Sequence, residues 1–156
     1  MNQSDLMKTP NLTKMNGSFS HNIKVRWADC DPANIAYTGT LANFSLEAID
    51  AWWEKHTGSD WYEMNIEKNI GLPFVHMSID FMHPVTPKHL LECQVKLIKL
   101  GTNSIRFAVQ GYQNSTLCFS GEFVEAFVDA KAHKKTPMPD EFRELLISLL
   151  DSESDG

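Results

Sequence analysis

From Pro73 to Ala130 the chain is strand-like almost without pause, and this run limits the fold more than any other feature. The segments PFVHMSIDFMH, LLECQVKLIKL, SIRFAVQGYQN and TLCFSGEFVEAFVDA follow one another, broken only around HPVTPKH, GTN and NS. All three breaks are rich in turn-forming residues. Parallel neighbours need crossovers of about a dozen residues or more, so connections this short predict antiparallel pairing. Upstream, FSHNIKVRWAD sets Ile23, Val25 and Trp27 on one face and Lys24 and Arg26 on the other, the period-two pattern of a half-buried strand.

Helical patterns flank the run. In TGTLANFSLEAIDAWWEKH, Leu41, Phe44, Ala48, Ala51 and Trp52 recur at helical spacing, while Leu46, Ile49 and Trp53 carry the apolar surface to further faces. A helix apolar over most of its circumference is expected to be largely buried. Thr38 and Thr40 are candidate caps and Gly58 a candidate stop. DWYEMNIEKN predicts a short helix or helical turn, and PDEFRELLISLLDS a surface helix with Phe142, Leu145, Leu146, Leu149 and Leu150 on one stripe. The order is one strand, a long helix, four strands and an outer helix, which defines an α+β domain. The economical packing is a curved antiparallel sheet of about five strands wrapped around the 40–56 helix, with the C-terminal helix at the surface.

The chain has 156 residues, close to the prior for one domain, and needs no disulfide or structural metal to hold its core. We expect a flexible leader over 1–18, one domain over 19–150 and an acidic tail over 151–156. Cys30, Cys93 and Cys118 are odd in number and lack CxxC spacing, which argues against a disulfide framework and against a zinc site. A cytoplasmic protein is the reading that fits, since no apolar secretory signal or membrane-length run is present. The formal charge of −6 argues against nucleic acid as a partner. Six histidines show neither HExxH nor a close pair at metal spacing, so no metal is expected.

The stretch VRWADCDPANIAY places two aspartates, a cysteine and a proline between the first strand and the long helix. With the element order, the motif DCDPANIAY over 29–37 resembles the hotdog-fold thioesterases, most closely the 4-hydroxybenzoyl-CoA thioesterase family of acyl-CoA hydrolases. The family pattern falls on Asp29, Asp31, Asn34, Ile35, Ala36 and Tyr37. The resemblance implies hydrolysis of an acyl-CoA thioester, with coenzyme A as part of the substrate and no separate cofactor. It also implies a homodimer or homotetramer whose active sites lie between subunits.

A carboxylate, ionised at neutral pH, can serve as nucleophile or as general base on water. By resemblance that residue is Asp31, and Asp29 is a turn or support residue. Tyr37 and the backbone amide of Thr38 complete the catalytic group, the amide meeting the oxyanion at the positive end of the helix dipole. Cys30 has no nearby histidine base and is read as a packing residue. A weaker match, KLGTNSIRF over 99–107, implies coenzyme A contacts from Lys99, Thr102, Asn103 and Ser104, although Gly101, Thr102 and Asn103 stand where some members carry consecutive Arg and Lys. In KAHKKTP, the densest basic cluster, Lys131, Lys134 and Lys135 are candidates for the coenzyme A phosphates, or else a solvated strand end. Trp52, Trp53, Trp61 and Tyr62 are read as core packing first and acyl-pocket lining second. Two other functions stay open: a thioesterase acting on acyl-carrier protein, and a non-catalytic acyl-CoA binding protein.

Overall fold

The computed structural model describes Met15 and residues 18–154, so nearly all of the expected leader and the last two residues of the expected tail lie outside the described residues. Five strands, β1 (Phe19–Ile23), β3 (Phe74–Phe81), β4 (Leu91–Leu100), β5 (Ser104–Gln113) and β6 (Thr116–Ala126), form one antiparallel sheet in the order β1-β4-β5-β6-β3. Three two-residue strands, β2 (Ile70–Gly71), β7 (Val128–Asp129) and β8 (Lys134–Lys135), make a small second sheet in the order β2-β7-β8. The long helix α1 spans Thr38–Thr57, the short α2 Trp61–Ile66 and the C-terminal α3 Asp140–Ser154.

Alternation sets which face of the sheet is buried. Leu91, Cys93, Val95 and Leu97 on β4 and Ile105, Phe107 and Val109 on β5 are all fully buried, and the register pairs Val95 with Val109 and Phe107 with Phe123. Against this face α1 lays Leu41, Phe44, Ser45, Ala48, Ile49, Trp52 and Trp53. The buried surface of α1 is one broad stripe under the sheet, with Leu46 only partly buried and Glu47 exposed on the outer side. Trp52 and Trp53 are core, with Phe107 edge-on to Trp52 at 4.8 Å and Phe127 and Phe142 around Trp53 at 6.2 and 6.3 Å. Gly58, in the left-handed region at φ 78°, ends the helix as expected.

Two boundaries move. The first strand stops at Ile23, and a 3-10 turn over Trp27–Asp29 turns the Trp27 side chain out to 74% exposure, although Ile23 and Val25 stay buried. The turn is closed by the Arg26 amide, which donates to Asp29 Oδ2 at 2.8 Å, and this local bond overrides the period-two pattern. At the other end α3 continues through Ser154, four residues into the segment read as a tail, and buries Phe142 and Leu146.

Glu125 sits fully buried on β6, on the same parity as Phe123 and Phe127. Trp53 Nε1 donates to its Oε1 at 3.0 Å and Trp61 Nε1 to its Oε2 at 3.2 Å, tying α1 and α2 to the sheet through one carboxyl group. Asp50 adds a second tie by accepting from the Trp61 amide at 2.9 Å. Burial pushes the Glu125 carboxyl up to about 8 despite both indole bonds, and burial raises Asp50 as well. The raised folded value means that the native state holds a proton the unfolded chain has already released. Stability from this site is therefore full below the ordinary carboxylate range and is withdrawn as pH rises through about 8. We predict a melting temperature that declines from about pH 5 to above pH 8, with a clearly shallower slope in Glu125→Gln, measured by thermal denaturation across that range.

Candidate functional site

The motif folds as a short ladder leading into α1. The Tyr37 amide donates to Asp29 O at 2.9 Å, Cys30 bridges Ala36, and the Asp31 amide donates to Ile35 O at 2.9 Å. The reversal is made by Pro32, Ala33 and Asn34, the last at φ 62°, a left-handed conformation that asparagine tolerates. Asp31 fastens it, its Oδ1 accepting from the Ala33 amide at 2.8 Å. Among the described residues Asp31 Oδ2 has no partner, and the side chain is partly exposed. Asp29 is used differently, its carboxylate being committed to the Arg26 amide.

Tyr37 occupies the N-cap of α1 without a side-chain cap bond, where Thr38 and Thr40 had been the candidates. Thr40 and Leu41 return their amides to Tyr37 O at 2.9 and 3.4 Å. The amides of Thr38 and Gly39 precede them and have no carbonyl inside the helix to reach. They open at the positive end of a 20-residue helix, on the loop that carries Asp31. The Tyr37 ring lies over Gly39, where a Cβ would come within 2.9 Å of it.

Beside this helix start is a cavity of about 260 Å³ whose walls include Ile35, Thr38, Leu41, Phe81, His83 and Val85. The lining is mainly apolar and meets the helix at Thr38. The Ala36 amide donates to Val85 O at 2.7 Å, which fixes the motif against the segment that follows β3. That segment is positioned by the buried Gln113, whose Oε1 accepts from the Thr86 amide while its Nε2 donates to Thr86 O and His89 O, at 2.9, 2.8 and 2.8 Å. His83 Nδ1 donates to Leu117 O at 3.0 Å. The sequence reading did not single out Phe81 or Gln113, because nothing local marks a loop held by one distant side chain. Glu125 did carry a signal, a carboxylate on the apolar parity of β6.

The other expected site residues lie elsewhere. Thr102, Asn103 and Ser104 occupy the β4–β5 turn and the start of β5, and Lys134 and Lys135 form β8. Phe127 N to Asn103 O at 2.9 Å, Thr136 N to Phe127 O at 3.0 Å and Met138 N to Thr102 O at 3.1 Å gather these two groups at one end of the sheet. Asp31 and Thr38 stand at the opposite end, beside Phe81 and Val85. Lys99 is exposed on β4 at a register shift. Trp61 lines a separate cavity of about 340 Å³, and Tyr62 is exposed. Among the described residues no three His, Cys, Asp or Glu side chains converge to hold a metal ion. No helix in the described residues is long and apolar enough to cross a membrane.

The sequence model of the thioesterase-like superfamily matches residues 25–146, which takes in the motif, the whole five-stranded sheet except β1, and α3 as far as Leu146. The chain belongs to that superfamily. A solved thioesterase-superfamily structure from Jannaschia sp. CCS1 is 46% identical, covering 84% of this chain and 92% of that one at a TM-score of 0.81. A 1,4-dihydroxy-2-naphthoyl-CoA hydrolase of Picosynechococcus sp. is 30% identical over 78 residues, half of this chain and 53% of its own length. That match spans about half of the relative. A second hydrolase of the same name, from Nostoc punctiforme, is 23% identical over 80% of this chain and 83% of its own length. The membership fits the sheet order and the placement of α1 described above.

Because Gln113 alone bonds three backbone groups of the loop beside the cavity, Gln113→Ala is expected to cost about 2–4 kcal/mol in denaturant unfolding. Amide exchange at Thr86 should quicken in the same variant, whereas a site that merely repacked would leave it protected.

Proposed function

We propose that this member of the thioesterase-like superfamily hydrolyses an acyl-CoA thioester to the free acid and coenzyme A. The observation that carries the reading is the joining of Asp31 to the open amides of Thr38 and Gly39 through one hydrogen-bonded loop. The thioester carbonyl oxygen points at those amides, and the acyl group enters the apolar cavity between Leu41 and Val85. As the tetrahedral centre forms, negative charge grows on that oxygen and is met by fixed dipoles, a stabilisation of about 3–4 kcal/mol for each well-placed donor. Asp31 either attacks the carbonyl carbon, giving a mixed anhydride that water then hydrolyses to the acid and free Asp31, or takes the proton of a water that attacks it; in both routes the carbonyl–sulfur bond breaks and the sulfur leaves as the coenzyme A thiolate. Its bond to the Ala33 amide holds the carboxylate in place without consuming both oxygens. The Tyr37 ring, packed along the first turn over Gly39, shields that turn from solvent on one side.

The names of the curated relatives make an aryl acyl group the first to try, and the walls of Leu41, Phe81 and Val85 suit a flat apolar ring. We place the reaction in a reducing cytoplasm on the strength of three unpaired cysteines, two of them buried.

The active form in this reading is a homodimer built on β3. This strand is an edge of the sheet with a free row of backbone donors and acceptors, and Val75, Met77, Phe81 and the adjoining Met82 are exposed by 59%, 42%, 51% and 46%. An edge of this length and apolarity is a template for pairing with another chain. A second copy is the self-complementary partner, since an antiparallel β3 pair about a two-fold axis repeats the same contacts on both sides.

Asp31→Asn should lower kcat for release of coenzyme A from benzoyl-CoA by a factor of about 100 or more while the melting temperature holds. An equally active variant would remove Asp31 from the mechanism. Met77→Lys, which puts a charge in the middle of the free edge, is expected to yield monomers by light scattering, and a persistent dimer would place the interface elsewhere.

A further inference from the structure

We infer that Gln113 is a positioning residue for thioester cleavage: across 27 residues of sequence, its side-chain amide fixes the segment on which the Asp31 loop and the open amides of α1 are seated. The inference rests on the acyl-CoA reading above and adds to it a residue outside the wall of the cavity beside Thr38.

The segment from His83 to His89 cannot hold itself. Pro84 and Pro87 have no N–H to give, and the segment forms no strand. Its backbone is fastened instead from the end of the β5–β6 hairpin. On one side of Val85, Cys118 O accepts from the amides of Met82 and His83 at 2.8 and 3.1 Å. On the other side, the Gln113 carboxamide pairs with Thr86 as a peptide group would, accepting from its N–H at 2.9 Å and donating to its C=O at 2.8 Å. Its second hydrogen goes to His89 O at 2.8 Å, so both donors of the side chain are spent on this segment. Gln113 is itself buried, and the hairpin beyond it is closed by Asn114 and Ser115, both left-handed at φ 47° and 64°.

Between these two fastenings the buried Val85 presents its carbonyl to the Ala36 amide at 2.7 Å. Among the described residues this is the one hydrogen bond that ties residues 29–37 to a distant part of the chain. The reactive groups flank it on both sides. The Asp31 amide donates to Ile35 O, one residue before Ala36, while Tyr37 follows at the N-cap and the open amides of Thr38 and Gly39 come next. Without the Gln113 clamp Val85 O is free to shift, and Asp31 and the helix start lose their common reference. A displacement of about 1 Å at reacting groups can cost about 100-fold in rate, so a bond this far from the chemistry still reaches it.

The test is Gln113→Met in the full chain, a change that keeps the length of the side chain and leaves three backbone groups unpaired. Beside it stands Leu146→Ala, which opens the core at a fully buried residue of α3 that does not line the cavity. Rates are taken well below both melting temperatures, with the coenzyme A ester cleaved fastest in a panel headed by benzoyl-CoA, and are divided by the folded fraction. Gln113→Met should lower kcat about tenfold or more while KM moves less than about twofold, the pattern of an interaction felt in the transition state. Leu146→Ala should keep kcat within about twofold of the unmodified chain. The amide resonances of Ala36 and Thr38 should shift in the first variant and stay in place in the second. Should Gln113→Met fail to fold, Gln113→Glu, which keeps an acceptor for the Thr86 amide, is read by the same two measurements. An unchanged kcat, or a fall that Leu146→Ala matches, makes Gln113 a brace for stability alone and overturns the inference. A rise in KM at constant kcat overturns it too, by moving the effect to the acyl pocket, and both results leave the Asp31 chemistry standing. Failure of the unmodified chain to cleave any coenzyme A ester overturns the acyl-CoA reading, and the inference with it.

Discussion

The indole of Trp53 reaches from the C-terminal part of α1 to the buried carboxyl of Glu125 on β6, and the position of everything else follows from that seat. Trp53 and its neighbour Trp52 are both fully buried, so α1 can neither slide nor rotate without opening a large void in the core. Trp61 takes the second oxygen of Glu125, which seats α2 as well. A buried carboxyl is a costly way to fasten helices, and its cost is reduced here by remaining protonated up to about pH 8 while both oxygens accept from an indole.

A fixed α1 gives its N-terminal turn a definite place. The amides of Thr38 and Gly39 are left open because Tyr37, the residue at the cap, spends its own amide on Asp29 O and offers no side-chain acceptor. A serine or aspartate at that cap would satisfy the turn and remove the donors. The same ladder that engages Tyr37 brings Asp31 to the helix start. Local stability is thus given up at the start of α1, where two amides remain open to an acceptor from outside the helix.

Asp31 and Thr38 lie near the Phe81 end of β3, and the β7–β8 turn lies near its Phe74 end, so the strand separates the acidic loop from the basic one. Val75, Met77 and Phe81 leave that edge apolar and exposed in the protomer.

Much of this was legible in the residues alone. The alternation of Leu91 to Leu97 and of Ile105 to Val109 gave the strands, the short breaks gave the antiparallel order, and DCDPANIAY marked the loop before the helix. Those signals are local, and a period or a turn is written within a few residues. What tertiary structure decided depends on distant partners: Trp27 was turned out by one bond between Arg26 and Asp29, and the cavity wall was placed by Gln113 from 27 residues away. Likewise the separation of the lysines of β8 from Asp31 follows from which end of β3 each segment joins. The sequence by itself determined which residues would be strand, helix and the turn between them, because backbone preference and alternation are short-range. Only the tertiary structure decided which of those loops meet, because pairing order and long-range hydrogen bonds have no period to read.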